Sequence, residues 1–142
     1  MSINSATVGA KAGLIENSSV LVLAGRALLS AIFILAGFGK LTAIGATAGW
    51  FGSLGFPLPT VVVVLVGLLE LLGGIAILIG FQTRIAAIAL AIFTLAATAV
   101  AHLDFADQVQ FLFFQKNLAI AGGLFVLAVF GAGALSVDAK RG

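Results

Sequence analysis

The chain contains no cysteine, a single histidine and few charged residues, and each shortage excludes a class of function. Without cysteine there are no disulfides, thiolate nucleophiles, thiolate metal ligands or covalently attached haem, so redox chemistry would need a bound cofactor or a partner. One histidine cannot supply both ligands of a bis-histidine haem. The formal net charge of +2 comes from scattered residues, which argues against a nucleic-acid surface.

Charged residues make up 8% of the chain, against roughly 25% in soluble domains, and 62% of its 142 residues are hydrophobic. Four segments, at residues 20–41, 61–81, 84–101 and 116–134, approach the ~20 residues that cross a bilayer as a helix. Their continuous apolar character lacks the alternation of a membrane β-barrel. We therefore predict an all-α, four-transmembrane-helix bundle over residues 20–136. Residues 1–19 are predicted to be a poorly ordered polar tail or surface segment, and 137–142 a short C-terminal tail.

The link between the first two predicted helices carries the only tryptophan, Trp50, together with Phe51, Leu54 and Phe56. Aromatic and apolar residues of this kind anchor a chain at the membrane interface. A short interfacial helix and a plain loop with aromatic anchors both fit this composition.

Positive charges predict the orientation of the bundle. Lys11, Arg84, Lys140 and Arg141 fall on the side of the termini, whereas Lys40 and Lys116 fall on the opposite side. Cytoplasmic loops carry the excess of lysine and arginine, so we expect both termini to be cytoplasmic in a bacterial-type inner membrane.

Glu70 is the only ionisable residue in the second apolar run, where an unpaired carboxylate costs several kcal/mol. Counting from the predicted cytoplasmic ends of their helices places Arg26 and Glu70 at depths of roughly 9 and 16 Å, close enough for contact. This predicted pair has two interpretations. It fixes the register of two helices, or Glu70 is a proton carrier or head-group anchor with Arg26 as its counter-charge. Gly67, Gly73 and Gly74 would let another helix approach closely.

A polar stripe of Thr94, Thr98 and His102 follows one face of the third predicted helix. His102 begins a polar segment that ends with Lys116 and Asn117, and Lys40 lies on the same side of the membrane. This group is either an ordinary hydrated loop or the mouth of a binding site leading towards Glu70. A single histidine with nearby aspartates predicts no tightly bound metal.

Six motifs in this order, GRALLSAIFILAGFGKL, SLGFPLPT, GLLELLGG, GFQTRIAA, QKNLAIAGGL and GAGALSVD, resemble the DoxX family of small four-helix membrane proteins. The resemblance runs from about Leu23 to Asp138. It implies a bundle whose family-pattern positions are Arg26, Lys40, Glu70, Arg84, Lys116 and Asn117. Members of the family include a subunit of thiosulfate:quinone oxidoreductase and membrane partners of thiol and oxidative-stress enzymes.

From the residues and the resemblance we predict a subunit linked to quinone-dependent redox metabolism, which binds a quinone or anchors a redox partner. Glu70 and Arg26 are the predicted catalytic residues, and Lys40, His102, Lys116 and Asn117 the predicted binding residues. No cofactor other than a quinone is expected. The partners would be membrane lipids and other membrane or redox proteins or further copies of the chain. The alternatives are a non-catalytic accessory or assembly subunit of a larger membrane complex and, less favoured, a small transporter.

Overall fold

A computed structural model describes residues 5–141, and every regular element in that range is helical. The helices are α1 (Ser5–Thr42), α2 (Ile44–Ser53), α3 (Pro59–Ile79), α4 (Thr83–Ala101), α5 (Gln108–Phe130) and α6 (Val137–Lys140). Four segments are long and apolar enough to cross a membrane, namely Asn17–Thr42, Pro59–Ile79, Thr83–Ala101 and Gln108–Phe130. The predicted four-transmembrane-helix class is confirmed.

Two helix boundaries differ from the predicted ones. Helix α1 already begins at Ser5, so the described part of the predicted tail is helical. This segment has no proline, and extending an existing helix costs less than nucleating a new one. Helix α5 begins at Gln108, eight residues before the predicted start, because the Asp107 side chain accepts hydrogen bonds from the backbone nitrogens of Val109 and Gln110. An aspartate in this position is a strong N-cap. The predicted C-terminal tail contains the single turn α6.

The link between the first two spans contains the short helix α2, so the helical alternative is confirmed. Phe51 is buried in a cluster with Ala48 and Val63 of α3, which attaches α2 to the bundle. Phe51 was predicted to anchor the link at the membrane interface, but it anchors α2 to the protein core. Trp50 and Leu54 remain exposed, as interfacial anchors must be.

The four spans form a ring in which α1 packs along α3, α3 along α4 and α4 along α5. Only a few residues of α1 contact α5. The main core contains Phe33, Ile77, Leu90 and Leu124. Many large apolar side chains point away from the bundle, as expected where lipid replaces water. Examples are Leu28, Leu35, Leu65, Leu72 and Val129.

Glycines bring α1 and α3 into backbone contact. A Cβ atom at Gly37 would lie 2.5 Å from the backbone nitrogen of Leu71 and 2.7 Å from the carbonyl oxygen of Gly67. A Cβ atom at Gly74 would lie 3.0 Å from the backbone nitrogen of Ile34. Only glycine permits helices to approach so closely, and this contact fixes the register of α1 against α3.

Candidate functional site

A cavity of about 490 Å³ lies between the spans at the end of the bundle that carries α2 and the loop 102–107, here called the α2 end. The opposite end, which carries the turn 80–83 and the segment 131–140, is called the α6 end. Apolar side chains form most of the cavity wall. Its ionisable and amide side chains are Lys40, Glu70, His102, Lys116 and Asn117. Five of the six predicted site residues therefore surround one cavity, and Arg26 does not.

Glu70 and Lys40 form an ion pair at the cavity, with 2.8 Å between Glu70 Oε2 and Lys40 Nζ. Glu70 is only 6% exposed. It lies in the middle of α3, and Lys40 reaches it from the last turn of α1. The glycine contact between α1 and α3 lies about one turn away and holds the two backbones close enough for this pairing. Two charges at this depth are tolerated because each neutralises the other.

The predicted pairing of Arg26 with Glu70 is wrong. Gly37 lies opposite Leu71 and Ile34 lies opposite Gly74, so Glu70 lies opposite position 38. Arg26 is twelve residues from that position, about 18 Å along the helix. The ends of the apolar segments therefore gave the wrong relative depths for Arg26 and Glu70. Helix α1 continues far beyond its apolar segment, so the start of that segment does not mark a position along α3.

Arg26 instead satisfies backbone carbonyls at the α6 end. Its Nε donates to Ile77 (2.9 Å) and its Nη2 to Leu78 (2.7 Å), both in the last turn of α3. Its Nη1 donates to Ala132 (2.9 Å) and Leu135 (2.8 Å) in the segment after α5. The side chain is 2% exposed. Carbonyls at a helix C-terminus lack partners within their own helix, so Arg26 has a structural role that links α1, α3 and the chain after α5.

Asp138 completes this end of the molecule, a role that the sequence analysis missed. Its carboxylate accepts hydrogen bonds from the backbone nitrogens of Gln82 (2.7 Å) and Thr83 (2.9 Å) at the start of α4. Its own nitrogen donates to the carbonyl of Gly80 (2.8 Å). Burial raises the pKa of Asp138, but the hydrogen bonds from Thr83 and Gln82 and the charge of Arg141 outweigh it and hold this pKa below its usual value.

The remaining predicted residues meet around the ring of Phe113. The imidazole of His102 stacks on this ring with 5.1 Å between centroids, and Lys116 Nζ lies 4.5 Å from the ring centroid. Asn117 Nδ2 donates to Thr98 Oγ1 at 2.9 Å. The early start of α5 places Lys116 and Asn117 about two turns into the helix instead of in a loop, and Asn117 contacts α4 there.

His102 is held as a neutral imidazole. Burial and the charge of Lys116 both lower its pKa. Its Nδ1 is buried and accepts no hydrogen bond from any residue that the structure describes. A protonated ring would need an acceptor at that nitrogen.

Comparison with known proteins identifies the family. The DoxX family model matches residues 21–103. The chain belongs to the DoxX family. Over 87 residues it is 48% identical to "Inner membrane protein YqjF" of Escherichia coli (strain K12), covering 61% of this chain and 63% of that relative. Over 99 residues it is 33% identical to "Inner membrane protein YphA" of the same organism, covering 66% of this chain and 71% of that relative. No solved structure matches the chain significantly.

In this DoxX protein, the matched segment contains Lys40, Glu70 and His102, whereas Lys116 and Asn117 of α5 lie outside it. It is an integral membrane protein, and both relatives are inner-membrane proteins. The aligned segment spans less than two thirds of the length of YqjF.

Part of the cavity wall could have been found from a helical pattern in the sequence. Val62 and Val66 precede Glu70 at intervals of four residues and share its face of α3, and all three line the cavity. Phe33 lies seven residues before Lys40 and shares its face of α1, whereas Phe51 adds to the wall from α2 without such a signal. The side chains that the structure describes include no group of three that could ligate a metal. The arrangement suits a lipophilic molecule that carries a polar head group.

Proposed function

We propose that this DoxX protein is an inner-membrane subunit that binds a lipophilic quinone in the cavity at the α2 end. The observation that supports the proposal is an apolar cavity of about 490 Å³ with an ion pair and four further polar side chains in its wall. Small-molecule sites usually have volumes of about 300–1,000 Å³ and few, well-placed polar groups.

The polar groups match the needs of a quinone head group, whose two carbonyl oxygens accept hydrogen bonds. Lys40 and Lys116 supply ammonium donors, and the neutral His102 ring supplies a donor at Nε2. Glu70 is the group that would accept or return a proton when the bound quinone is reduced or reoxidised. The chain has no cysteine, so we assign the electron donor to a partner protein that this subunit anchors.

The cavity favours ligand binding over a purely structural role as an assembly subunit. An assembly subunit has no use for a cavity, and an unfilled cavity leaves the side chains of its wall without packing partners on one side.

The proposal also places both termini in the cytoplasm. Three basic residues, Arg84, Lys140 and Arg141, lie at the α6 end, compared with Lys40 and Lys116 at the α2 end. The side with more lysine and arginine is usually the cytoplasmic one.

The test compares two neighbouring residues on α3. Val66 lines the cavity, whereas Leu65 points outwards and is 62% exposed. The wild-type protein, Val66→Trp and Leu65→Trp are reconstituted in lipid nanodiscs, and the binding of a short-chain ubiquinone is measured against empty nanodiscs. We expect saturable binding by the wild type and Leu65→Trp, and at least tenfold weaker binding by a folded Val66→Trp. Equal affinity in all three proteins would show that the quinone does not occupy this cavity.

Proton transfer is tested separately with Glu70→Gln. We expect this variant to bind quinone and to lower quinone reduction in membranes that contain the native partner proteins. Unchanged reduction would remove the proton-carrying role from Glu70 and leave the binding site intact.

A further inference from the structure

The charges around the cavity are not balanced. Lys40 and Lys116 bring two ammonium groups to its wall, and Glu70 brings one carboxylate. Lys40 is neutralised by Glu70 at 2.8 Å. Among the side chains that the structure describes, none places a carboxylate at ion-pairing distance from Lys116, whose ammonium group lies over the ring of Phe113.

His102 does not alter this balance. Its Nδ1 is buried without a hydrogen-bond partner in the described chain, so a second N–H at that nitrogen would be unsatisfied and the charged ring is disfavoured. The cavity therefore has an excess of one positive charge, located on Lys116.

The position of Lys116 makes this charge available to a ligand. The Phe113 ring holds the ammonium by a cation–π contact, which uses the face of the ring and leaves N–H donors free. Lys116 is itself an exposed residue, so its ammonium group meets a ligand at the rim of the cavity, beside the apolar side chains of the wall.

We infer that Lys116 selects ligands with an anionic head group, so that the cavity binds the ionised form of a quinone-type molecule in preference to its neutral analogue. The inference rests on the proposed function and adds the charge of the ligand to it. A neutral carbonyl accepts an ordinary hydrogen bond from Lys116, whereas an anionic oxygen forms a charge-assisted bond that is roughly twice as strong.

The experiment uses two naphthoquinones with the same alkyl chain at carbon 3. One carries a hydroxyl group at carbon 2, which is ionised at neutral pH, and the other carries a methyl group there. Binding of each is measured in nanodiscs of zwitterionic lipid, with empty nanodiscs as the reference for partitioning. The proteins are the wild type, Lys116→Gln and Lys140→Gln. Lys140 lies at the α6 end, so its replacement is a matched control for the loss of one lysine charge.

We expect the wild type and Lys140→Gln to bind the anionic compound about tenfold or more tightly than the neutral one, the effect of one charge-assisted hydrogen bond. In Lys116→Gln this preference should fall to less than about twofold, because binding of the anionic compound weakens more than binding of the neutral compound. Equal binding of both compounds by the wild type would overturn the charge selection while leaving quinone binding in place. A preference that survives in Lys116→Gln would remove the role from Lys116. Binding of neither compound by the wild type would contradict the proposed function itself.

Discussion

Replacing Arg26 by methionine should destabilise the bundle without altering the cavity. Methionine keeps the apolar stem of the side chain but removes four hydrogen bonds, of which those to Ile77 and Ala132 are fully buried. Hydrogen bonds from a charged donor contribute about 1.5–3 kcal/mol each, so the two buried bonds alone amount to about 3–6 kcal/mol. Relief of the cost of burying the guanidinium offsets part of this, which leaves a net loss of about 3 kcal/mol.

The assay is thermal unfolding in mild detergent, followed by the fluorescence of Trp50, the only tryptophan of the chain. Stability changes shift Tm by about 3 °C per kcal/mol in a chain of this size, so we expect a decrease of about 10 °C. Trp50 lies at the α2 end, and a loss detected there shows that unfolding is cooperative along the bundle.

Arg84→Met is the matched control. Arg84 donates to the carbonyls of Ala128 and Val129 but is exposed to solvent or lipid, so its removal should lower Tm by a third as much or less. If Arg26→Met unfolds within about 3 °C of the wild type, the structural role of Arg26 is refuted. If it instead retains its stability and loses quinone binding, Arg26 belongs to the site after all.

Three further predictions concern the contacts that hold the site and the ends of the bundle. Gly37→Ala should lower Tm by several degrees, because the new Cβ would lie 2.5 Å from the backbone of α3. Gly39→Ala should leave Tm unchanged, because a Cβ there would have no atom within 4 Å. Similar Tm values for the two variants would contradict the close helix contact. Lys40→Met and Glu70→Leu should each be more destabilising than the double variant, because each single change leaves one buried charge unpaired. Additive losses of Tm in a double-mutant cycle would show that the two charges are not coupled. Asp138 has a folded-state pKa below its unfolded value, so its stabilising contribution is present above the ordinary pKa of 3.8 and is lost as pH falls below it. Asp138→Asn should therefore lower Tm at pH 7 and flatten the decrease in Tm as pH falls below 3.8, and an unchanged acid profile would exclude this linkage.

The fold was predictable from composition and the lengths of the apolar runs. Lipid leaves helices as the only structure that fits such runs, so the four spans followed directly. The N-cap at Asp107 was also present in the sequence, but the apolar pattern alone placed the start of the last span at Lys116. A strong cap outweighs a few polar residues in the first turns of a helix.

The partner of Glu70 was not predictable in the same way. Apolar boundaries give depth with an error of a turn or more, and two lysines or arginines on one helix face compete for the same carboxylate. The choice between Arg26 and Lys40 depends on the register of α1 against α3, which the contact at Gly37 determines. The hydropathy pattern of the sequence does not predict that contact.

The clustering of the other polar residues was partly predictable. His102, Lys116 and Asn117 were expected at the same end of the bundle as Lys40, because helix direction alone fixes that. Their arrangement around Phe113 depends on side-chain packing between α4 and α5, which the sequence does not encode as a motif.

The backbone contact between α1 and α3 has a consequence for how a ligand would exchange. Because the backbones of α1 and α3 touch at Gly37, the positions that carry Lys40 and Glu70 are held close to each other. Rotation of either side chain can then open the pair without movement of a helix. The electrostatic environment at the head-group position is therefore preorganised, and a bound molecule would encounter it with little reorganisation energy.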